Sequence, residues 1–578
     1  MPGYDTSELV CLRCRDERTR CFLNAVSGRP YARCVKIRRL AKEGTMTEST
    51  NEFETDDIIE EPAVVAPHTI DRRGFLRGVG ATALLGSLAA LGGCAPAAQK
   101  EPANAEAVAE PLSVDGTEDC DIVIVGAGGS GLAAAVEASE AGARVICVER
   151  EAAAGGGEAG VEGIFAVGSR MQEQEGVTNL STGALIRREL EAAQQRVNGP
   201  RYVDMVHNSG ENVNWLLDHG VTFMSVDADN GTEKVFHRFE DDKGAVGYVP
   251  HMLKAAEDAG VDFRYNTLAK QIVMTDGKAT GVIVIDEGGK SIQINASSVI
   301  VATGGFAEDF EMVSKNDINT EDAVYVGMPG HDATAHNMLI AAGAKDYTQN
   351  TAYLMALAVR GLPGYFEGGK FSFLIGVAAP YSIWINENAE RFVNENFSQV
   401  NAMLMTVPTW PNKKTHILMD QAMLDIYMNG EQSAVDQLND GLASGEVLKA
   451  DTVEALAQAM GVDATALADT VERYNSYCAA KDDADYGKEA EFLMDFGTAP
   501  YYGFHVTPDV QVAIGSIQTD RNFNAITDAG DSIEGLYVVG VEGAMLWSNI
   551  YTINIAGGAN ANNVNSGRMA AKHALSRL

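Results

Sequence analysis

The stretch that most constrains this chain runs from Asp121 to Glu149, DIVIVGAGGSGLAAAVEASEAGARVICVE. Ile122 to Val125 is a short unbroken apolar run, the pattern of a strand buried on both faces. Gly126, Gly128 and Gly131 follow with GxGxxG spacing, and Gly129 and Ser130 complete the turn. The first glycine allows a tight turn, the second lets the backbone approach a pyrophosphate, and the third lets helix pack on strand. A helix is expected over Leu132 to Ala141, its N-terminal amides aimed at phosphate oxygens. Gly142 ends it, and Val145 to Val148 forms a second buried strand. Glu149 closes that strand, where a carboxylate accepts hydrogen bonds from a ribose hydroxyl pair. The glycine triplet alone is a weak signal. Strand, turn, helix, second strand and terminal acid in this order specify a dinucleotide site on an α/β fold.

The chain has 578 residues, enough for two or three domains. Its net charge of −36 argues against nucleic acid as a partner and is compatible with a basic electron carrier. Residues 1–45 are basic and hold Cys11, Cys14, Cys21 and Cys34, half of the eight cysteines. The Cys-x-x-Cys pair hints at zinc or iron–sulfur, but the other two are irregularly spaced and no histidine joins them. No metal site is expected, and the segment reads as an extension upstream of a start at Met46. Residues 46–94 carry Arg72-Arg73-Gly74-Phe75-Leu76, then the apolar run Val79 to Leu91, then Leu91-Gly92-Gly93-Cys94. The run is short for a bilayer span. The pattern resembles a twin-arginine export signal ending in a lipoprotein cleavage box, which predicts export and membrane contact through lipidated Cys94. The mature protein is then expected at the outer face of the cytoplasmic membrane or in the periplasm. Residues 95–117 read as a linker. Cys120 and Cys147, beside or within buried strands, are expected in the core, and Cys478 on a helix.

After Glu149 comes Gly155-Gly156-Gly157, then Gly160 and Gly163, a loop able to lie under a flat ring because it offers amides without side chains. Helical patterns span Thr182 to Gln195, Arg201 to Asn208, Glu211 to His219 and Gly247 to Gly260. Strand patterns occupy Val261 to Val284 and Ser291 to Ala302, the latter leading into a second strand-to-glycine turn, Thr303-Gly304-Gly305-Phe306-Ala307.

Asp121–Glu149, Ala302–Ala307, RFVNE at Arg391–Glu395, and the tail segments GLYVVGVEGA at Gly535–Ala544 and IAGGANANN at Ile555–Asn563 resemble the flavoprotein subunit family of fumarate reductases. That family includes urocanate reductases, 3-ketosteroid dehydrogenases and many exported reductases. The resemblance covers about residues 118 to 578. It implies an α/β fold: a Rossmann-like FAD-binding domain of the glutathione-reductase type, in parts at 118–348 and 504–578, with an inserted α+β capping domain at 349–503. Substrate would lie between cap and flavin. Beside the first turn and Glu149, it implies cofactor contacts from Gly156, Gly157, Gly163, Thr303, Gly304, Gly540, Glu542, Gly557, Gly558 and Asn560. The tail glycines and a helix N-terminus would face the pyrimidine end of the flavin and stabilise charge on the reduced ring. Relatives with covalent FAD place a histidine in the loop after the second strand, and this chain has none between Glu149 and His207, so non-covalent FAD is expected. The chain carries no Cys-x-x-Cys-His haem motif and no second nucleotide fingerprint. Electrons are therefore expected from a separate donor, a membrane-associated cytochrome or a quinol-linked protein.

The family pattern breaks at the substrate. An arginine shortly after RFVNE donates the proton in family fumarate reductases, and the same offset here lands on Gln399. The family's substrate-binding Thr-Glu pair and second arginine fall near Leu374, Ile375 and Ala378. Its histidines after Thr-Pro-Gly are replaced by Val510, Gln511 and Val512, and its arginine before the Gly-Gly pair by Ile555. A dicarboxylate needs at least two cationic clamps, because an unpaired buried charge costs several kcal/mol. Fumarate is therefore not the expected substrate. A mostly apolar, electron-poor alkene is: an enone, an unsaturated steroid or lactone, or a cinnamate-like aromatic. The remaining candidates for the donor are Tyr551, which precedes the tail glycines, then Tyr381, with Gln399 as a hydrogen-bond donor to a carbonyl. A tyrosine also stands in this region of 3-ketosteroid dehydrogenases. Trp547 is expected to pack, Arg391 to be structural, and Arg170 and Arg360 to lie at the surface. Two other readings remain: the reverse reaction, desaturating a steroid-like ketone, and a flavoprotein that only carries electrons.

Overall fold

The computed structural model describes residues 19–26, 29–36, 112–228, 233–364, 379–396, 402–428, 431–552 and 555–578. They belong to two units, 1–101 and 102–578. In the first, Thr19–Val26 and Arg29–Lys36 form an antiparallel hairpin with Cys21 opposite Cys34. Cys11, Cys14, the Arg72-Arg73 pair and Cys94 lie outside the described residues.

The second unit opens with β1 (Gly116–Asp119), β2 (Ile122–Val125), α1 (Gly129–Glu140) and β3 (Val145–Val148). Both expected strands form with the expected ends. The helix begins three residues earlier than expected, because its first turn is made of the glycines of the turn itself. Every residue of β2 and β3 is buried, as a parallel strand covered on both faces requires. The chain continues through β4 (Gly163–Phe165), α2 (Thr182–Ala192), α3 (Gly199–Asp218), β5 (Phe223–Ala228), β6 (Lys234–Phe239), α4 (Val249–Asp258), β7 (Asp262–Arg264), β8 (Leu268–Thr275), β9 (Lys278–Ile285), β10 (Ser291–Asn295) and β11 (Ser298–Val301). The two helical patterns either side of Ser209-Gly210 are one helix, α3. Gly210 packs where a Cβ would collide with the carbonyl of Val167, so this glycine serves a close approach and not a break.

Then come β12 (Val324–Tyr325), α5 (Thr334–Ala341), β13 (Ala352–Val359), β14 (Ile383–Asn386), β15 (Thr415–Asp420), β16 (Val447–Ala450), α6 (Ala464–Ala480), β17 (Tyr501–Ile514), β18 (Asn524–Ile526), β19 (Ser532–Val538) and α7 (Gly558–Leu575). The central sheet has order β18-β19-β11-β2-β3-β7, parallel except for β18. A second sheet, β8-β9-β10-β1, shares a core with one face of it through Val123, Val125, Val148 and Val299 against Ile272, Val282 and Val284. The other face is covered by α1 and α7, with α3 packed on α7, and Ile122, Ile124 and Cys147 share a core with Leu132, Val136, Val213 and Val564. Cys120 is likewise buried, and Cys478 lies on α6.

The capping region has its own core, built on Trp384, Ile417, Tyr474 and Phe504. Its sheet is β12-β17-β15-β14, with β13 and β16 also paired to β17. β17 crosses residue 504. Its first half pairs with β15 and β16, and it pairs with β13 along most of its length, so one strand runs from the cap residues on into 504–514.

Candidate active site

The site grows from the end of β2. Gly126 has φ +103, which a Cβ would strain, and a Cβ on Gly131 would collide with the carbonyl oxygen of Gly126. Turn and helix can therefore meet only with these two glycines. Gly128 caps α1 and brings no side chain to its first turn. The loop Gly155–Gly157 lies against this turn, Gly155 donating its N–H to the carbonyl of Ala127 at 2.9 Å and bridging Gly128. Glu149 sits at the end of β3, its carboxylate accepting from the amides of Ala127 (2.8 Å) and Glu151 (2.9 Å). Burial raises its pKa, and those amides oppose the rise. Each oxygen still has a lone pair for a ribose hydroxyl.

The second glycine turn stands beside the first because β11 pairs in parallel with β2. Thr303 Oγ1 and the Gly305 N–H both donate to Glu542 Oε2, at 2.9 and 2.8 Å, and Ser516 Oγ donates to Glu542 Oε1. Glu542 thus ties the second turn to the tail through protein donors. His331 lies between the two turns, its imidazole filling the space beside Gly304 and Gly157. Burial lowers its pKa, so it is neutral, and its Nδ1 shares a hydrogen bond with the Tyr325 hydroxyl at 3.1 Å.

The tail closes the site. The Gly540 N–H donates to Ser566 Oγ at 2.9 Å, with Gly540 against Ser130 of α1. Gly557 caps α7, again without a side-chain bond to the helix amides, and its carbonyl accepts from Phe165 of β4 at 3.2 Å. Asn560, in the first turn of α7, donates to the carbonyl of Gly163 at 3.2 Å and to Glu158 Oε1 at 3.0 Å. A Cβ on Gly558 would stand in contact with the Trp547 ring, at 3.6 Å. The structure thus gathers the first turn, Glu149, Gly156, Gly157, Gly163, Thr303, Gly304, Gly540, Glu542, Gly557, Gly558 and Asn560 into one constellation. Two helix N-termini open on it without side-chain caps, which leaves amides and positive helix ends for an anionic cofactor.

Tyr551 is buried and meets Trp547 edge-on, with ring centroids 4.6 Å apart. Trp547 Nε1 donates to Glu189 Oε1 of α2 at 2.6 Å, and Thr552 Oγ1 donates to the same oxygen. Leu354 and Val512, with buried Ile514, share the core cluster of Trp547 and Tyr551. Tyr381 is half-buried within the cap, packed edge-on against Phe492 at 5.3 Å. Gln399, with Leu374, Ile375 and Ala378, lies outside the described residues.

Arg391 is a cap strut. Its guanidinium binds Glu395 (2.8 Å) and Asp483 (3.0 Å), and Lys488 Nζ stands 3.3 Å from Glu395. Arg170 pairs with Asp218 and Arg360 with Glu446, both at the surface.

Sequence reasoning missed Glu158, Glu189 and His331. Glu158 had a local signal, an acid inside a phosphate-facing glycine loop. Glu189 had none, since its partners lie more than 350 residues away.

The comparisons with known proteins agree with this geometry. A family model described as an FAD binding domain matches residues 121–549. The chain is 28% identical over 488 residues to a vinyl phenol reductase of Lactiplantibacillus plantarum, covering 78% of this chain and 96% of that protein. It is 26% identical over 462 residues to a cytochrome-type fumarate reductase of Shewanella frigidimarina, covering 78% and 76%. Its fold matches a 3-ketosteroid Δ4-(5α)-dehydrogenase of Rhodococcus jostii with a TM-score of 0.60 at 22% identity, over 80% of this chain and 97% of that one. With two uncapped helix N-termini, a buried acid at the end of β3 and paired glycine turns meeting at one place, the chain belongs to the fumarate reductase-type family of FAD-binding flavoproteins, and FAD is its cofactor.

Proposed function

We propose that this protein is an exported oxidoreductase that reduces the C=C bond of a mostly apolar, conjugated alkene, with electrons from a separate redox partner. One observation carries the choice of substrate. Among the described residues of 349–503 the buried cations are Arg391 and Lys488, and both are committed to Glu395 and Asp483. No second pair of cations stands ready there to clamp a dicarboxylate. The similarity to a protein named vinyl phenol reductase points the same way.

FAD, held non-covalently, supplies a hydride when bound in its reduced form. Glu149 would hold the ribose, the amides of α1 the pyrophosphate, and the N-terminus of α7 the pyrimidine end of the ring. Trp547, with its N–H turned to Glu189, offers a ring face to the substrate. Leu354, Val512 and Ile514 form an apolar wall that excludes water. The Tyr551 hydroxyl places a proton on the alkene carbon that does not take the hydride, and recovers it from solvent.

The test uses holoprotein reduced without oxygen, with flavin absorbance followed on adding 4-vinylphenol, enones, unsaturated steroids, cinnamate or fumarate. Fast reoxidation by an apolar alkene with fumarate inert is the expected result. Reoxidation by fumarate overturns the substrate reading, and no reoxidation by any alkene overturns the reductase. The proposed anchor is tested by fractionation: Cys94→Ala shifts the protein from membrane to soluble fraction.

A further inference from the structure

Glu158 is the buried acidic side chain of the glycine loop Gly155–Gly163, whereas Glu162 of the same loop is exposed. It is 3% exposed. Its Oε1 accepts from Asn560 Nδ2 in the first turn of α7. Its Oε2 has no hydrogen-bond partner among the described residues, and it lies against Gly129 in the first turn of α1, where the space beside Gly129 is filled by this carboxyl. A single buried carboxyl therefore bridges the N-termini of α1 and α7, the two helix ends that receive FAD.

We propose that FAD binds this protein together with a proton, carried by Glu158 at the shared mouth of α1 and α7. The inference rests on FAD as cofactor and on the placement of its pyrophosphate at α1. A pyrophosphate brings negative charge to a helix end that a carboxylate already faces in a buried setting. Two anions of this kind exclude one another there, whereas a neutral carboxyl offers its O–H to a phosphate oxygen. Among the described residues, the surroundings supply no cation to neutralise Glu158. The first turns of α1 and α7 carry no charged residue. At the N-cap of α4, the Tyr248 hydroxyl donates to the carbonyl of Gly129 at 2.7 Å, and burial and then Glu158 hold that phenol protonated. Gly244–Gly247 and β4 contribute no titratable group. His331, beside Gly157, is kept neutral by burial. Burial pushes Glu158 up to about 8, with the Asn560 hydrogen bond working the other way.

The sign follows from linkage. Below about pH 8 free and FAD-bound protein both carry the proton, and affinity is flat. Above it the free protein loses the proton and FAD binding must restore it, so the dissociation constant rises by about tenfold per pH unit.

The experiment measures FAD release from holoprotein by flavin fluorescence between about pH 6 and pH 9.5, for the wild-type protein and Glu158→Gln. Flavin absorbance of the purified protein is read first, and a protein holding no FAD overturns the cofactor reading and this inference together. With FAD held, the expected result is a steep rise of the dissociation constant above about pH 8 in the wild type and a flat profile in Glu158→Gln. Equal profiles overturn the inference and leave the cofactor reading standing. Should Glu158→Gln fail to fold, calorimetry of FAD binding to the wild type near pH 9, in two buffers of different ionisation enthalpy, gives the proton count directly. Close to one proton taken up is expected, and none overturns the proposal.

Discussion

At the scale of single residues the site divides into groups that hold the cofactor and groups that act on substrate, and substitutions separate them. Tyr551→Phe keeps the ring against Trp547 and removes only the hydroxyl. Turnover should fall by about 10²–10⁴-fold with FAD content unchanged, measured as flavin reoxidation against the absorbance ratio of the purified protein. Gly131→Ala acts on the other half. Its Cβ meets the Gly126 carbonyl, so the turn cannot close, and the protein should purify without flavin. The residues of the first turn were legible in the sequence because they act on one another across a few positions. Glu158 showed only as an acid in a glycine loop, because what makes it unusual is burial beside Asn560, 402 residues away.

At the scale of elements, α2 reaches the site through one carboxylate. Glu189 receives Trp547 Nε1 and Thr552 Oγ1, the residues on either side of Tyr551, and so fixes the segment that carries the proposed acid. Glu189→Leu leaves two buried donors without that acceptor, at about 1–3 kcal/mol for an unsatisfied group. The expected outcome is a fall in turnover approaching that of Tyr551→Phe with FAD affinity intact, and equal turnover in mutant and wild type would remove Glu189 from the positioning role. In the cap, Arg391→Met removes the cation from Asp483 and leaves Glu395 with Lys488 alone, and should destabilise that region by about 3–5 kcal/mol, read as a lowered unfolding midpoint. The same cluster sets an acid limit. Burial works against charge on Asp483, but Arg391 outweighs it and holds the carboxyl below its usual range. The stability it contributes is complete above the ordinary carboxylate range and lost as pH falls through the depressed value. The elements themselves were readable where one force dominated: β2 and β3 are apolar throughout and formed with the expected ends. α3 was misread as two helices because Gly210 signals a break in sequence and a close packing contact in space.

At the scale of the whole molecule, the proposed FAD site is assembled from residues 121–163, 303–305 and 540–560, segments that chain connectivity alone leaves far apart. Glu542 ties the second turn to the tail, and Glu158 ties α1 to α7. The cap, by contrast, has a separate core and its own ion cluster. A ligand that binds only the folded state stabilises what it spans, by about 2.7 kcal/mol at a hundredfold excess over its dissociation constant. Added FAD should therefore raise the unfolding midpoint of the dinucleotide-binding parts in a concentration-dependent way. The cap responds only as far as its unfolding is coupled through β17, the strand the two regions share. Scanning calorimetry with increasing FAD distinguishes the cases. A single transition that moves as a whole means β17 couples the cap to the cofactor domain, whereas a second transition that stays in place, and that Arg391→Met lowers by itself, means the cap unfolds as an independent unit.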